Sequence, residues 1–187
     1  MNIIQDYRVH DKYFASISSE FSRNIADITE IVCHGTAGGQ SAKGIIKWML
    51  SGEREEEYKK GIALFHYEID RNGDIYQIIP DLNWVYHSSS GRHDKKTIGI
   101  ELVNPVIENK GKYTIDQYNS LFSLIKRMMQ LYPIDHIAGH GGNKLKYSGS
   151  YKNCPGEFDW VLLKRNFNIS METKEIYKLK NDGDGNG

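Results

Sequence analysis

Ile28-Thr29-Glu30-Ile31-Val32-Cys33-His34 runs straight into Gly35-Thr36-Ala37-Gly38-Gly39, and this stretch decides how the rest of the chain is read. A short apolar, β-branched run closed by glycines predicts a buried strand with a loop after it. Ser41 then offers an N-cap oxygen to a helix carrying Ile45, Ile46, Trp48, Met49 and Leu50, and Gly52 supplies the stop. A strand, a loop and a helix in this order form a piece of an α/β sheet, so further strands are expected on either side.

Downstream, Ala63–Ile69 and Asp74–Ile79 read as two strands around Asp70-Arg71-Asn72-Gly73, where Asn-Gly marks a hairpin turn. Trp84–His87 reads as short and extended, and Arg54–Lys60 as a solvated charged stretch. Thr97-Ile98-Gly99-Ile100-Glu101-Leu102-Val103 is a near-continuous apolar strand with a carboxylate inside it. Thr114 and Gln117 form a capping box for a long helix to about Tyr132. Its apolar positions Tyr118, Leu121, Phe122, Leu124, Ile125, Met128, Met129 and Leu131 mark a packing face. Ile134–Ala138 reads as a last strand and Glu157–Arg165 as a terminal helix. Upstream, some helix is expected around Tyr13–Ile25. The fold class is α/β, a single domain with a central mixed β-sheet flanked by helices. The expected boundaries are a lead-in over 1–27, a catalytic domain over 28–166 and a polar tail over 167–187. Within that tail, Asp182–Gly187 matches the first half of an EF-hand loop and lacks the glutamate that would complete it.

The 187 residues include 24 basic and 24 acidic ones, so no field of one sign would hold the chain on nucleic acid or an anionic membrane. The N-terminus lacks the pattern of a signal peptide, and no apolar run is long enough to span a bilayer. The chain therefore reads as soluble, made in the cytoplasm, monomeric, and a partner of neither nucleic acid nor membrane. Its two cysteines, Cys33 and Cys154, are not expected to pair. Cys33 follows Val32 and precedes His34 in a strand, where neighbours face opposite sides, so a site-facing His34 sends Cys33 into the core.

Gly139-His140 and Lys152-Asn153-Cys154-Pro155-Gly156 change the weight of His34. Together they offer two imidazoles and one thiolate from three distant parts of the chain. Zinc held by three protein groups keeps a fourth position for water, which means chemistry rather than scaffolding.

With these pieces in view, the chain resembles the zinc-dependent N-acetylmuramoyl-L-alanine amidases of the type that includes phage lysozyme-amidases; peptidoglycan-recognition proteins share their fold. The resemblance covers about Ile28 to Arg165. It rests on Val32–Ala37, His66–Gly73, Tyr86-His87-Ser88, Ile98–Leu102, Ala138-Gly139-His140 and Lys152–Gly156, taken in order. It implies His34, His140 and Cys154 as Zn2+ ligands, with Cys154 in the branch that uses cysteine where others use aspartate. It also implies Glu101 as catalytic base and Lys152 as catalytic lysine, and it places His87 near the substrate, where substrate binding and structural support both stay open. Thr36 and Tyr67 complete the expected substrate-binding set, Tyr67 as an aromatic of the groove. His66 is expected to pack on the sheet, and His10, His93 and His136 to lie on the surface or in loops.

Three departures stand out. Phe65 occupies a position where phage members often carry a catalytic tyrosine, which shifts proton transfer to Glu101. Gly141-Gly142 follows His140 where relatives have a polar pair, leaving the partner that orients His140 undefined. Asn143–Tyr151 reads as a long Gly/Lys/Ser/Tyr-rich link. The implied reaction is hydrolysis of the amide between N-acetylmuramic acid and L-alanine in peptidoglycan or a muropeptide. The settings left open are a phage or prophage endolysin freed by a holin-type pore, a cytosolic enzyme recycling anhydro-muropeptides, an injected toxin, and a non-catalytic peptidoglycan-binding module.

Overall fold

The computed structural model describes residues 1–14, 19–88, 90–168 and 170–172. Strands β1 (Ile3–Gln5), β2 (Glu30–Gly35), β3 (Tyr67–Ile69), β4 (Ile75–Gln77), β5 (Thr97–Leu102), β6 (His136–Gly139) and β7 (Ser170–Glu172) form one mixed sheet. Its order is β1-β4-β3-β5-β2-β6-β7. Strands β3, β5, β2, β6 and β7 run parallel, and β4 turns back antiparallel to β3 through Asn72-Gly73. Gly73 takes φ 85 there.

Alternation along the strands divides the core in two. Ile31, Cys33, Tyr67, Ile69, Ile98, Ile100 and Leu102 face α5 (Ile115–Leu131) and α7 (Trp160–Asn166). Tyr76, Ile78 and Val103 face α1 (Arg8–Tyr13) and α2 (Ala42–Ser51), while α3 (Glu55–Tyr58) and α4 (Gly91–Asp94) are single turns. Both long helices start as expected. Ser41 accepts the Gly44 N–H, and Thr114 and Gln117 exchange bonds in a capping box, each cap worth about 1 kcal/mol. Gly52, at φ 95, ends α2.

Several expectations shift. Met129 and Leu131 are exposed, so the packing face of α5 ends with Met128. Helix α7 begins at Trp160, because the Asp159 carboxylate accepts the Leu162 N–H and fixes the start three residues past Glu157. Residues 19–24 hold turns and irregular chain rather than helix, and only a short 3-10 turn follows at Ile25–Asp27; Ser22 bonds the Ser19 carbonyl, a local alternative that competes with helix. Asn143–Ser148 is not a link but part of α6 (His140–Ser148), closed by Gly149 at φ 69. The sheet also reaches beyond 28–166: β1 pairs with β4, and β7 pairs with β6. The half EF-hand pattern lies outside the described residues. No helix among those described is long and apolar enough to cross a membrane.

Candidate active site

Ligands collect where parallel strands end, because loops leaving that edge converge over one crevice. Here β2 delivers His34, β5 delivers Glu101 opposite it in register, and β6 ends at Gly139 so that His140 opens α6. Cys154 arrives from the segment after α6. The ligand atoms of His34, His140 and Cys154 all lie within 4.8 Å of one another. Nδ1 of His34 is 3.1 Å from Nδ1 of His140 and 3.9 Å from Sγ of Cys154, and Sγ also accepts the Gly35 N–H at 3.4 Å.

Burial shapes the charge of this cluster. It holds His34 well below the ordinary histidine range and takes His140 down to about 3, with the Lys152 charge adding to both. Burial also pushes the Cys154 thiol up to about 12. Neutral imidazoles with facing lone pairs are the form that binds a metal, and a cation is what would turn such a thiol into thiolate. The donor set therefore fits zinc. Cys33 is a free cysteine in the opposite core, also raised by burial to about 12.

The environment of His34 was not legible in the sequence. Its Nε2 is 3.0 Å from Nδ1 of His87, and Nε2 of His87 is 2.7 Å from Oγ1 of Thr97. With Nδ1 of His34 turned to a cation, its Nε2–H donates to His87. Nε2–H of His87 then donates to Thr97, whose hydroxyl donates to the Asp94 carbonyl at 3.2 Å. Burial, then the Arg23 charge, lowers His87 to about 3, which keeps it neutral for this chain of bonds. Gly99 makes the room: a Cβ there would stand 2.9 Å from Nδ1 of His87. His87 thus lines the groove while both its ring nitrogens are engaged, one with His34 and one with Thr97.

Other expected residues divide. Glu101, Lys152 and Thr36 line the same groove as the three ligand residues. Burial raises Glu101 to about 7, partly offset by the Lys152 ammonium. The Thr36 hydroxyl donates to the Asn104 carbonyl and accepts the Asn104 N–H. Tyr67 is not brought to the groove. It sits on the opposite sheet face, and its hydroxyl donates to Asp81 at 2.8 Å. His66 is buried under the sheet, accepting the Gly99 N–H. His93 is not a surface residue: it is buried, bonded to Glu30 at 2.6 Å and to the Ser88 hydroxyl at 2.8 Å.

Asn109 is a functional-site residue that sequence reading passed over. At φ 56, its Oδ1 accepts the Ala37 N–H and its Nδ2 donates to the Asn153 carbonyl. It thereby ties the loop after His34 to the segment bearing Cys154. The only sequence signal is a short polar run, Glu108-Asn109-Lys110-Gly111. The first glycine after His140, Gly141, has a structural reason. Its N–H donates to the Cys154 carbonyl at 2.7 Å, and a Cβ there would stand 2.1 Å from the Lys152 carbonyl oxygen.

The groove has a volume of about 1260 Å³, enough for an extended ligand rather than a small metabolite. Its lining also includes Ile45 and Trp48 of α2, together with Ile62, Phe65 and Tyr86.

Residues 24–157 match the family described as N-acetylmuramoyl-L-alanine amidase, and the chain belongs to that family. It is an enzyme with that family's activity. Among solved structures, it is similar to N-acetylmuramoyl-L-alanine amidase LysC from Clostridium intestinale URNW. The two are 19% identical, the match covers 91% of this chain and 99% of that one, and the TM-score is 0.64. The catalytic domain of XlyA is 21% identical over 89% of this chain and 99% of that one, with a TM-score of 0.62. The ectodomain complex of peptidoglycan recognition proteins LCa and LCx, solved with tracheal cytotoxin, is 14% identical. That match covers 88% of this chain and 96% of that one, at a TM-score of 0.62. No curated protein matches the chain.

Proposed function

We propose that the chain is a zinc-dependent hydrolase that cuts the amide between the lactyl group of N-acetylmuramic acid and L-alanine, and that it works as a phage or prophage endolysin, as a monomer. The observation that carries this is the convergence of His34, His140 and Cys154 beside Glu101 and Lys152 in one groove. When bound to the three ligands, zinc supplies a Lewis acid for the scissile carbonyl and makes water a nucleophile near neutral pH. Glu101 takes the proton as the water oxygen attacks the carbonyl carbon. It then returns that proton to the departing alanine nitrogen as the C–N bond breaks. A carboxyl raised to about 7 suits both transfers. The Lys152 ammonium steadies the negative charge that grows on the carbonyl oxygen.

The endolysin setting draws on relatives whose names carry that word, among them the endolysin LysCS of Clostridium intestinale URNW. The presence of Cys154 favours an enzyme over a binding module, which would do without a metal ligand.

Two measurements test the reading. Purified protein should carry about one zinc per chain, and Cys154→Ser should lose it, because a neutral hydroxyl replaces a thiolate. Full occupancy and activity in that variant would remove the metal assignment. Intact murein sacculi and soluble anhydro-muropeptides should then be assayed side by side. Faster release of peptide from sacculi supports the endolysin, preference for the soluble substrate supports recycling, and binding without release supports a recognition module.

A further inference from the structure

Glu68 lies in the middle of β3, fully buried, and neither of its carboxyl oxygens has a hydrogen-bond partner among the described residues. Such a group is costly, and an apolar side chain would pack there at no such cost. Its register partner on the adjacent parallel strand is Glu101. Paired residues on neighbouring strands stand about 4.8 Å apart with side chains on the same face. Glu101 lines the groove, yet its Oε2 is buried and also lacks a partner. Two unpartnered carboxyl groups side by side become mutual partners once one of them carries a proton, since a protonated carboxyl is a donor.

The surroundings decide which one carries it. Just past β3, Asp70 accepts the Ala42 and Arg71 N–H groups, and His66 lies just before the strand, two residues ahead of Glu68. Burial keeps that imidazole neutral. From β4 comes Tyr76, and from α2 come the apolar Ala42, Ile46 and Met49. The lysines of α2, Lys43 and Lys47, are exposed. Lys152 acts on Glu101 but not on Glu68. Burial first, then the negative charges of Glu101 and Asp70, hold Glu68 well above the usual carboxylate range. Among the described residues, no side-chain cation offsets them.

We propose that Glu68 is a positioning residue for Glu101, a buried carboxylic acid that stays neutral and donates its proton in a hydrogen bond to Oε2 of Glu101, leaving the other oxygen of Glu101 for the groove. The role in turnover rests on the reading of Glu101 as the base; the neutrality of Glu68 does not.

The test compares the zinc-loaded protein with Glu68→Gln and Glu68→Leu. Thermal unfolding reports neutrality without any substrate. Above about pH 4.3 an unfolded Glu68 ionises, whereas the folded one keeps its proton, so stability falls as pH rises toward the folded pKa. The Tm of Glu68→Gln should therefore gain on the wild type steadily from about pH 5 to about pH 8. A difference that stays flat with pH would overturn the neutral assignment. Kinetics report positioning. Glu68→Leu should lower kcat about tenfold, one hydrogen bond's worth, with KM and zinc content nearly unchanged. Glu68→Gln should rescue most of that loss, because its amide donates the same bond. If both variants match the wild type, Glu68 only packs; if Gln is as impaired as Leu, a negative charge is required. Either result overturns the proposal. Should no protein release peptide, the amidase reading fails while the pH series still reports on Glu68.

Discussion

Nε2 of His34 stands 3.0 Å from Nδ1 of His87, so the ring whose other nitrogen faces the candidate metal site is oriented from behind by a second buried histidine. Groups that hold a ligating imidazole in this way fix its tautomer and raise its basicity.

His87→Ala should therefore weaken zinc binding by about 10–100-fold, measured by competition with a chromogenic chelator. KM of the zinc-saturated protein should move little. A raised KM with unchanged zinc affinity would return His87 to the substrate.

Glu101→Gln keeps the shape of the side chain and removes its basic oxygen, so turnover should fall roughly a hundredfold or more with zinc retained. Only deprotonated Glu101 can accept a proton, and burial raises it to about 7. In the wild type, kcat/KM should climb as pH rises through about 7 and level off above it. A profile of the same shape in Glu101→Gln would assign that limb to another group.

Lys152→Ala should lower kcat by roughly a hundredfold or more while KM stays within a few-fold, since the ammonium is worth more against a developing oxyanion than against the bound amide. Lys152→Arg should recover part of the loss, because a planar fork does not fill the place of a compact ammonium. A large rise in KM at constant kcat would move Lys152 to substrate binding.

Gly141→Ala would place a methyl group 2.1 Å from the Lys152 carbonyl oxygen. The Lys152–Cys154 segment must shift, which should cost about 1–3 kcal/mol, seen as a lower Tm. Zinc should also be lost faster to chelator than from the wild type. Unchanged Tm and zinc retention would show that the segment yields freely.

Much of the fold was legible because its signals are local. The capping box of Thr114 and Gln117, the Asn72-Gly73 turn and the near-continuous apolar run Ile98–Val103 act through neighbours in sequence. Helix α6 leaves little trace because Gly141 and Gly142 weaken its pattern, and Gly141 answers to a backbone contact with Lys152. Strand β1 was missed because Ile3–Gln5 is too short to signal itself and forms by pairing with β4.

The sequence by itself determined which side chains could hold a metal, since an imidazole or a thiol declares its chemistry wherever it lies, and the flanking motifs set the order His34, His140, Cys154. Tertiary structure decided which neighbours those groups keep. Tyr67 and Glu68 are adjacent, yet alternation sends one to Asp81 on the far face and the other to Glu101 on the site face. Only the register of β3 against β5 fixes that assignment. His87 stands behind His34, and Asn109 ties two loops together, for the same reason. Such contacts form across long sequence separations, where folding brings the partners together and local pattern carries no trace of them.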